Sequence, residues 1–153
     1  MEKKRNRYLI KLIAAALAVI LLAPVQAYAA VPETVSPMAS AYLTSYNAYI
    51  YPAGNGELQI WFRVIGTGTQ DYLGALIVQL FESTDNENWD CVKTFLHEDY
   101  DTMLAQNTYA HMGHVIYNEG VPGRYYKALV GIWGGPGDTG DSRYIWTPVV
   151  TCT

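Results

Sequence analysis

Between Leu58 and Ile65 the chain reads LQIWFRVI. Leu58, Ile60, Phe62 and Val64 fall on one side, and Gln59, Trp61, Arg63 and Ile65 on the other. A period of two places successive side chains on opposite faces of an extended backbone, so this stretch predicts a half-buried strand. The alternation returns where Tyr126, Ala128, Val130 and Ile132 share a face. No part of the chain past the N-terminal leader sustains the i, i+3, i+4, i+7 spacing of an amphipathic helix. Parallel strands need crossover helices, so the pattern leaves an antiparallel, all-β architecture.

Turn chemistry divides the chain into seven expected strands. The first runs from Ser40 to Tyr51 and ends in YPAGNGE, where Gly54 and Gly56 are free to take positive φ. The alternating strand 58–65 follows, closed by GTGTQD at 66–71. Leu73 to Phe81 is apolar on both faces, as a central strand would be. The next strands are Trp89 to Leu96 and Asn107 to Tyr117, separated by HEDYDTMLAQ, which has room for a helical turn. After NEGVPG comes the strand opened by Tyr125 and Tyr126. A loop with four glycines then leads to a last strand, Arg143 to Cys152. Short strands with regular turns predict a two-sheet antiparallel sandwich of immunoglobulin or fibronectin-III type, with a small closed barrel as the second architecture. Within a sandwich, Tyr126 is placed to act as the corner tyrosine, bonding back to the turn before it.

The first 29 residues belong to a different class. Lys3, Lys4, Arg5, Arg7 and Lys11 precede an apolar run from Leu12 to Ala23, and Ala27-Tyr28-Ala29 follows. That is the layout of a cleavable signal peptide, cut after Ala29. The run is shorter than the roughly 20 residues a membrane span requires. The expected organisation is therefore a signal peptide (1–29), an extended arm with two prolines (30–39) and a β-sandwich domain (40–153), released outside the cell with no stable membrane insertion. The leader's five basic residues and Glu2 leave it at +4, and the whole chain is −4, so the remainder carries −8. Such an acidic surface repels phosphate backbones and argues against nucleic acid as a partner.

The segment ESTDNENWDCVKTF, 82–95, admits several chemistries. Asp85, Glu87 and Asp90 lack the spacing, central glycine and distal glutamate of a twelve-residue calcium loop. Ser83, Asp85 and Trp89 partly match the Ser-x-Asp-x-Gly-x-Thr-Trp hairpin of sialidase-like propellers. Here Glu87 replaces the glycine, the tryptophan comes one residue early, and no repeated blade exists. What remains is turn physics: Asp85 and Asn86 close the backbone, and Trp89 folds over the hairpin it begins. His111 and His114, three apart, fall on opposite faces of a strand, a poor arrangement for one metal. No nucleophile elbow or phosphate loop is present, and Glu98 with Asp99 reads as a solvated cluster. The sequence thus points to a protein that is not an enzyme and needs no cofactor or metal.

The run Gln79, Ser83, Asp85, Trp89, then Gly123, Tyr125 and Tyr126, resembles a domain-of-unknown-function family of small secreted proteins from Gram-positive bacteria. The resemblance spans nearly all of the chain past the leader. It implies a secreted β-sandwich and supplies no activity. Cys91 and Cys152 are an addition to that pattern. An exported chain with two cysteines is expected to pair them. A bridge over about 60 residues would contribute roughly 4 kcal/mol in the chain-entropy model.

Binding is the remaining role. Trp133 opens the glycine-rich loop, Tyr100 sits in the 97–106 segment, and Trp61 points away from the inner face of its strand. Exposed flat aromatics stack on sugars and anchor protein contacts. These three residues are the expected ligand contacts, with an extracellular glycan or protein as partner. A secreted toxin or inhibitor acting on neighbouring cell envelopes is the second reading, and a glycan hydrolase the third.

Overall fold

The computed structural model describes residues 40–153. The expected signal peptide and arm lie outside them. Seven strands form one curled antiparallel sheet: β1 (Leu43–Gly54), β2 (Glu57–Ser83), β3 (Asp90–Leu96), β4 (Leu104–Tyr117), β5 (Tyr125–Gly135), β6 (Asp141–Trp146) and β7 (Val150–Thr151). Among the described residues the one helical element is a 3₁₀ turn, Gly137–Thr139, and no helix is long and apolar enough to cross a membrane.

The organising element is β2, whose 27 residues exceed the usual strand several-fold. Its first half pairs with β1 on one side and β4 on the other. Its second half pairs with β3 and β5, and β5 carries β6 and β7 on its far edge. The apolar residues of both halves meet in one core, including Leu58, Ile60, Phe62 and Val64 from the first and Leu73, Val78 and Leu80 from the second. Burying that surface is the main favourable term in the fold.

Three expected boundaries change. GTGTQD does not end a strand. The Thr67 N–H donates to the Tyr42 carbonyl (3.0 Å), its hydroxyl donates to Ala41 (2.8 Å), and the Gln70 amide donates to the Gly68 carbonyl. With these polar groups satisfied, the chain runs through an irregularity in the β2–β4 register between Ile65 and Gln70 and needs no reversal. The two expected strands 58–65 and 73–81 are therefore one.

The segment 97–103 makes three-residue-spaced bonds, Asp99 to Leu96, Tyr100 to His97 and Met103 to Tyr100. It ends early because Met103 is fully buried, so β4 starts at Leu104 rather than Asn107. The last strand breaks at Thr147-Pro148. Thr147 exchanges N–H···O bonds with Ala128 through its own backbone and hydroxyl, and Pro148 has no N–H to continue the ladder. At the β1–β2 hairpin, Asn55 (φ 52°) and Gly56 (φ 79°) both adopt positive φ, the requirement of a type I′ turn.

Candidate functional site: an aromatic face on the first half of the long strand

The register of β1, β2 and β4 builds the site from the sequence alternation. Because Ile60, Phe62 and Val64 are buried, the intervening residues face outward. Pairing then lines up three rows across the strands: Tyr51–Gln59–Ile116, Tyr49–Trp61–His114 and Asn47–Arg63–Met112. These rows hold no carboxylate. Glu57, at the hairpin end of β2, lies beyond them and accepts a 2.7 Å hydrogen bond from Gln59.

The central ring is fixed in place. Trp61 stacks on His114, with ring centroids 4.5 Å apart and planes 18° from parallel. Its indole N–H donates to the Gln59 side-chain oxygen at 3.3 Å. On β1 the rings of Tyr49 and Tyr51 are near-parallel with centroids 6.3 Å apart. Tyr49, Tyr51 and Met112 are 44%, 52% and 62% exposed, an unusual concentration of large apolar groups on one sheet face. Asn47, Tyr49, Tyr51, Trp61, Arg63 and Met112 line a shallow depression of about 310 Å³.

The expected ligand contacts do not come together. Trp61 lies at the centre of this face. Trp133 is half-buried on β5, its ring against Gly140, and borders a second depression of about 490 Å³ with Tyr72, Leu76, His97 and Asp138. Tyr100 packs edge-on against Phe95 (centroids 5.3 Å) and covers the core. Sequence reading missed Tyr49, Tyr51 and Met112. The period-two pattern of 45–51 held the signal for the tyrosines, but only pairing puts them beside Trp61.

Asp85 accepts the N–H groups of Glu87 (2.9 Å) and Asn88 (2.8 Å), the Asn88 side-chain amide (2.7 Å) and the Ser83 hydroxyl (2.9 Å). Those donors, led by Asn88, hold its carboxyl well below the usual carboxylate range. Asn86 closes the turn in the left-handed region (φ 62°), its N–H donating to Ser83. Half-buried Trp89 and exposed Trp146 share one cation: the Lys127 ammonium lies 4.0 Å and 4.8 Å from their ring centroids. Tyr126 is fully buried. Its hydroxyl accepts the Val121 N–H (2.9 Å) and donates to Glu82, which also pairs with Arg124.

The cysteine expectation is corrected. Cys91 is exposed on β3 and Cys152 is buried near the chain end, both as free thiols. Cys91 stands on a strand edge, whereas the Cys152 sulfur faces the Gly56–Gly120 contact. Burial raises the Cys152 thiol above its ordinary pKa. His111 bonds the Thr102 carbonyl (3.0 Å) and tilts against Phe62, on the side of the sheet opposite His114. Among the described residues no three of His, Cys, Asp and Glu gather in a way that would hold a metal ion.

No family model matches this chain, and neither does any curated protein. Among solved structures it is similar to the sporulation control protein Spo0M of Bacillus subtilis, at 13% identity and a TM-score of 0.37, over 67% of this chain and 48% of that one. The match thus spans about half of Spo0M's length. It is also similar to a protein assigned as ApaA from Bordetella pertussis, at 12% identity and a TM-score of 0.32, over 74% of this chain and 95% of that one. Likeness this slight carries no functional argument.

Proposed function

We propose that this is a secreted, non-enzymatic binding protein whose ligand is an extracellular glycan, taken up on the outer face of β1, β2 and β4. The observation that carries the reading is the row Tyr49–Trp61–His114, with Tyr51 beside it. Half-buried Trp61, held by its stack on His114, lies level with exposed Tyr49 and Tyr51 on the outer side of the sheet. Pyranose rings present apolar C–H faces that stack on such surfaces, and neighbouring amides and hydroxyls read the sugar hydroxyls. Asn47 and Gln59 supply those groups. A site built on strands is also pre-organised, so little ordering entropy opposes binding. The leader expected at 1–29, with cleavage after Ala29, fits an extracellular ligand. We further read the curled sheet as two sandwich-like layers hinged on β2.

A glycan array, followed by titration of hits, tests the reading. Trp61→Ala and Tyr49→Ala are expected to lose binding at least tenfold while the melting temperature changes little, because neither ring is part of the core. Retained binding in both variants would remove the face from consideration.

A further inference from the structure

Arg63 stands in the aromatic face without an ionic partner among the described residues, in a chain that carries −8 past its leader. The other four cations of residues 40–153 are engaged. Arg124 pairs with Glu82, Lys127 lies between Trp89 and Trp146, Lys93 sits over Phe95, and Arg143 donates to the Ser142 carbonyl. Arg63 is exposed, and its cross-strand partners are Asn47 and Met112. Its neighbours on the same strand face are Trp61 and Ile65. Within an acidic protein, one arginine thus stands without an ion pair among the described residues, beside aromatic rings and the Asn47 amide.

Resting on the glycan reading above, we propose that the ligand is an acidic saccharide. Its anionic group is taken by the Arg63 guanidinium, and an adjoining pyranose face stacks on Trp61 and Tyr49. The guanidinium's planar fork of N–H donors matches the oxygens of a carboxylate, sulfate or phosphate ester in two parallel bonds. The Trp61–His114 stack fixes the ring beside Arg63 on the strand face. Asn47, opposite Arg63, adds a second polar contact at the charged end, and Met112 an adaptable apolar one. The depression, about 310 Å³, lies at the small end of ligand sites and suits one or two sugar units. An acidic peptide is the poorer match. Extended peptides add to sheet edges through backbone bonds, whereas these rings crowd the middle of a face.

The experiment is calorimetric titration of the protein, expressed from the full-length sequence, with four probes. These are a trigalacturonate, its carboxyl-reduced neutral counterpart, a glycerol-phosphate oligomer and a hexaglutamate peptide. The trigalacturonate is expected to bind at least tenfold tighter than the neutral trisaccharide, whereas the glycerol-phosphate oligomer, which has no pyranose ring, should bind weakly; tight binding of that oligomer alone overturns the proposal. Arg63→Gln should erase that preference, while Arg63→Lys keeps part of it. Trp61→Ala should weaken every saccharide. Equal binding of the neutral and acidic sugars, or an acidic preference that survives Arg63→Gln, overturns the proposal and leaves the glycan reading standing. Binding of the hexaglutamate alone, or of none of the probes, overturns both.

Discussion

The buried hydroxyl of Tyr126 donates to the carboxylate of Glu82, its register partner across β2 and β5. The same oxygen accepts the Val121 N–H from the turn before β5, and Arg124 closes over Glu82 from the outside. One phenol therefore ties the Pro-Gly turn, the end of the long strand and the start of β5 together. Tyr126→Phe keeps the ring and removes the bond, leaving a half-buried carboxylate and a backbone N–H short of a partner. The expected cost is about 2 kcal/mol, read as a lower midpoint in urea with an unchanged slope.

The same residue sets an alkaline limit. Burial first, and the bond to Glu82 second, hold the Tyr126 hydroxyl above the ordinary tyrosine range. The folded state thus keeps a proton that the unfolded chain releases near pH 10. Its contribution is intact below that pH and is lost as pH rises toward the folded value. Stability followed from pH 9 to 11 should fall more steeply in the wild type than in Tyr126→Phe.

The turn at Asp85 sets an acid limit of opposite sign. Its carboxyl is depressed by the donors of Asn88, Glu87 and Ser83, so its contribution is present above about pH 4 and is lost as pH falls below it. Asp85→Ala should lower the melting temperature at pH 7. The gap between variant and wild type should narrow steadily by pH 2. A gap that stays constant would show that the carboxylate's charge plays no part in closing the turn.

The two thiols should titrate apart. Exposed Cys91 should react with a thiol reagent in the native protein within minutes. Buried Cys152, its thiolate disfavoured by its surroundings, should react only after denaturation. Mass spectrometry after native and denatured alkylation gives the count. A protein in which neither reacts until reduced would contain the bridge that the structure lacks.

Gly74 marks the region where β2 passes from its first set of partners to its second. Its φ is +154°, and an added Cβ would stand 2.2 Å from the Met103 carbonyl oxygen. Because backbone cannot move aside as a side chain can, Gly74→Ala should cost about 3 kcal/mol. Gly68→Ala, with nothing near its Cβ, should stay within about 0.5 kcal/mol of wild type. Denaturant midpoints of the two variants make the comparison.

The sequence by itself determined the alternation of β2 and β5, the glycine turn at 51–57, the Asp85 turn and the outward direction of Trp61, because each depends on residues a few positions apart. It could not show that GTGTQD continues a strand, since the partners of Thr67 come from residues 41 and 42. It could not show that Cys91 and Cys152 stay apart, or that Trp133 and Tyr100 are packed while Tyr49 and Tyr51 are exposed. Nor could it place an exposed arginine among rings from different strands. Those are properties of register and curvature. They arise only when one long strand pairs with different partners along its length and folds its two halves around a shared core.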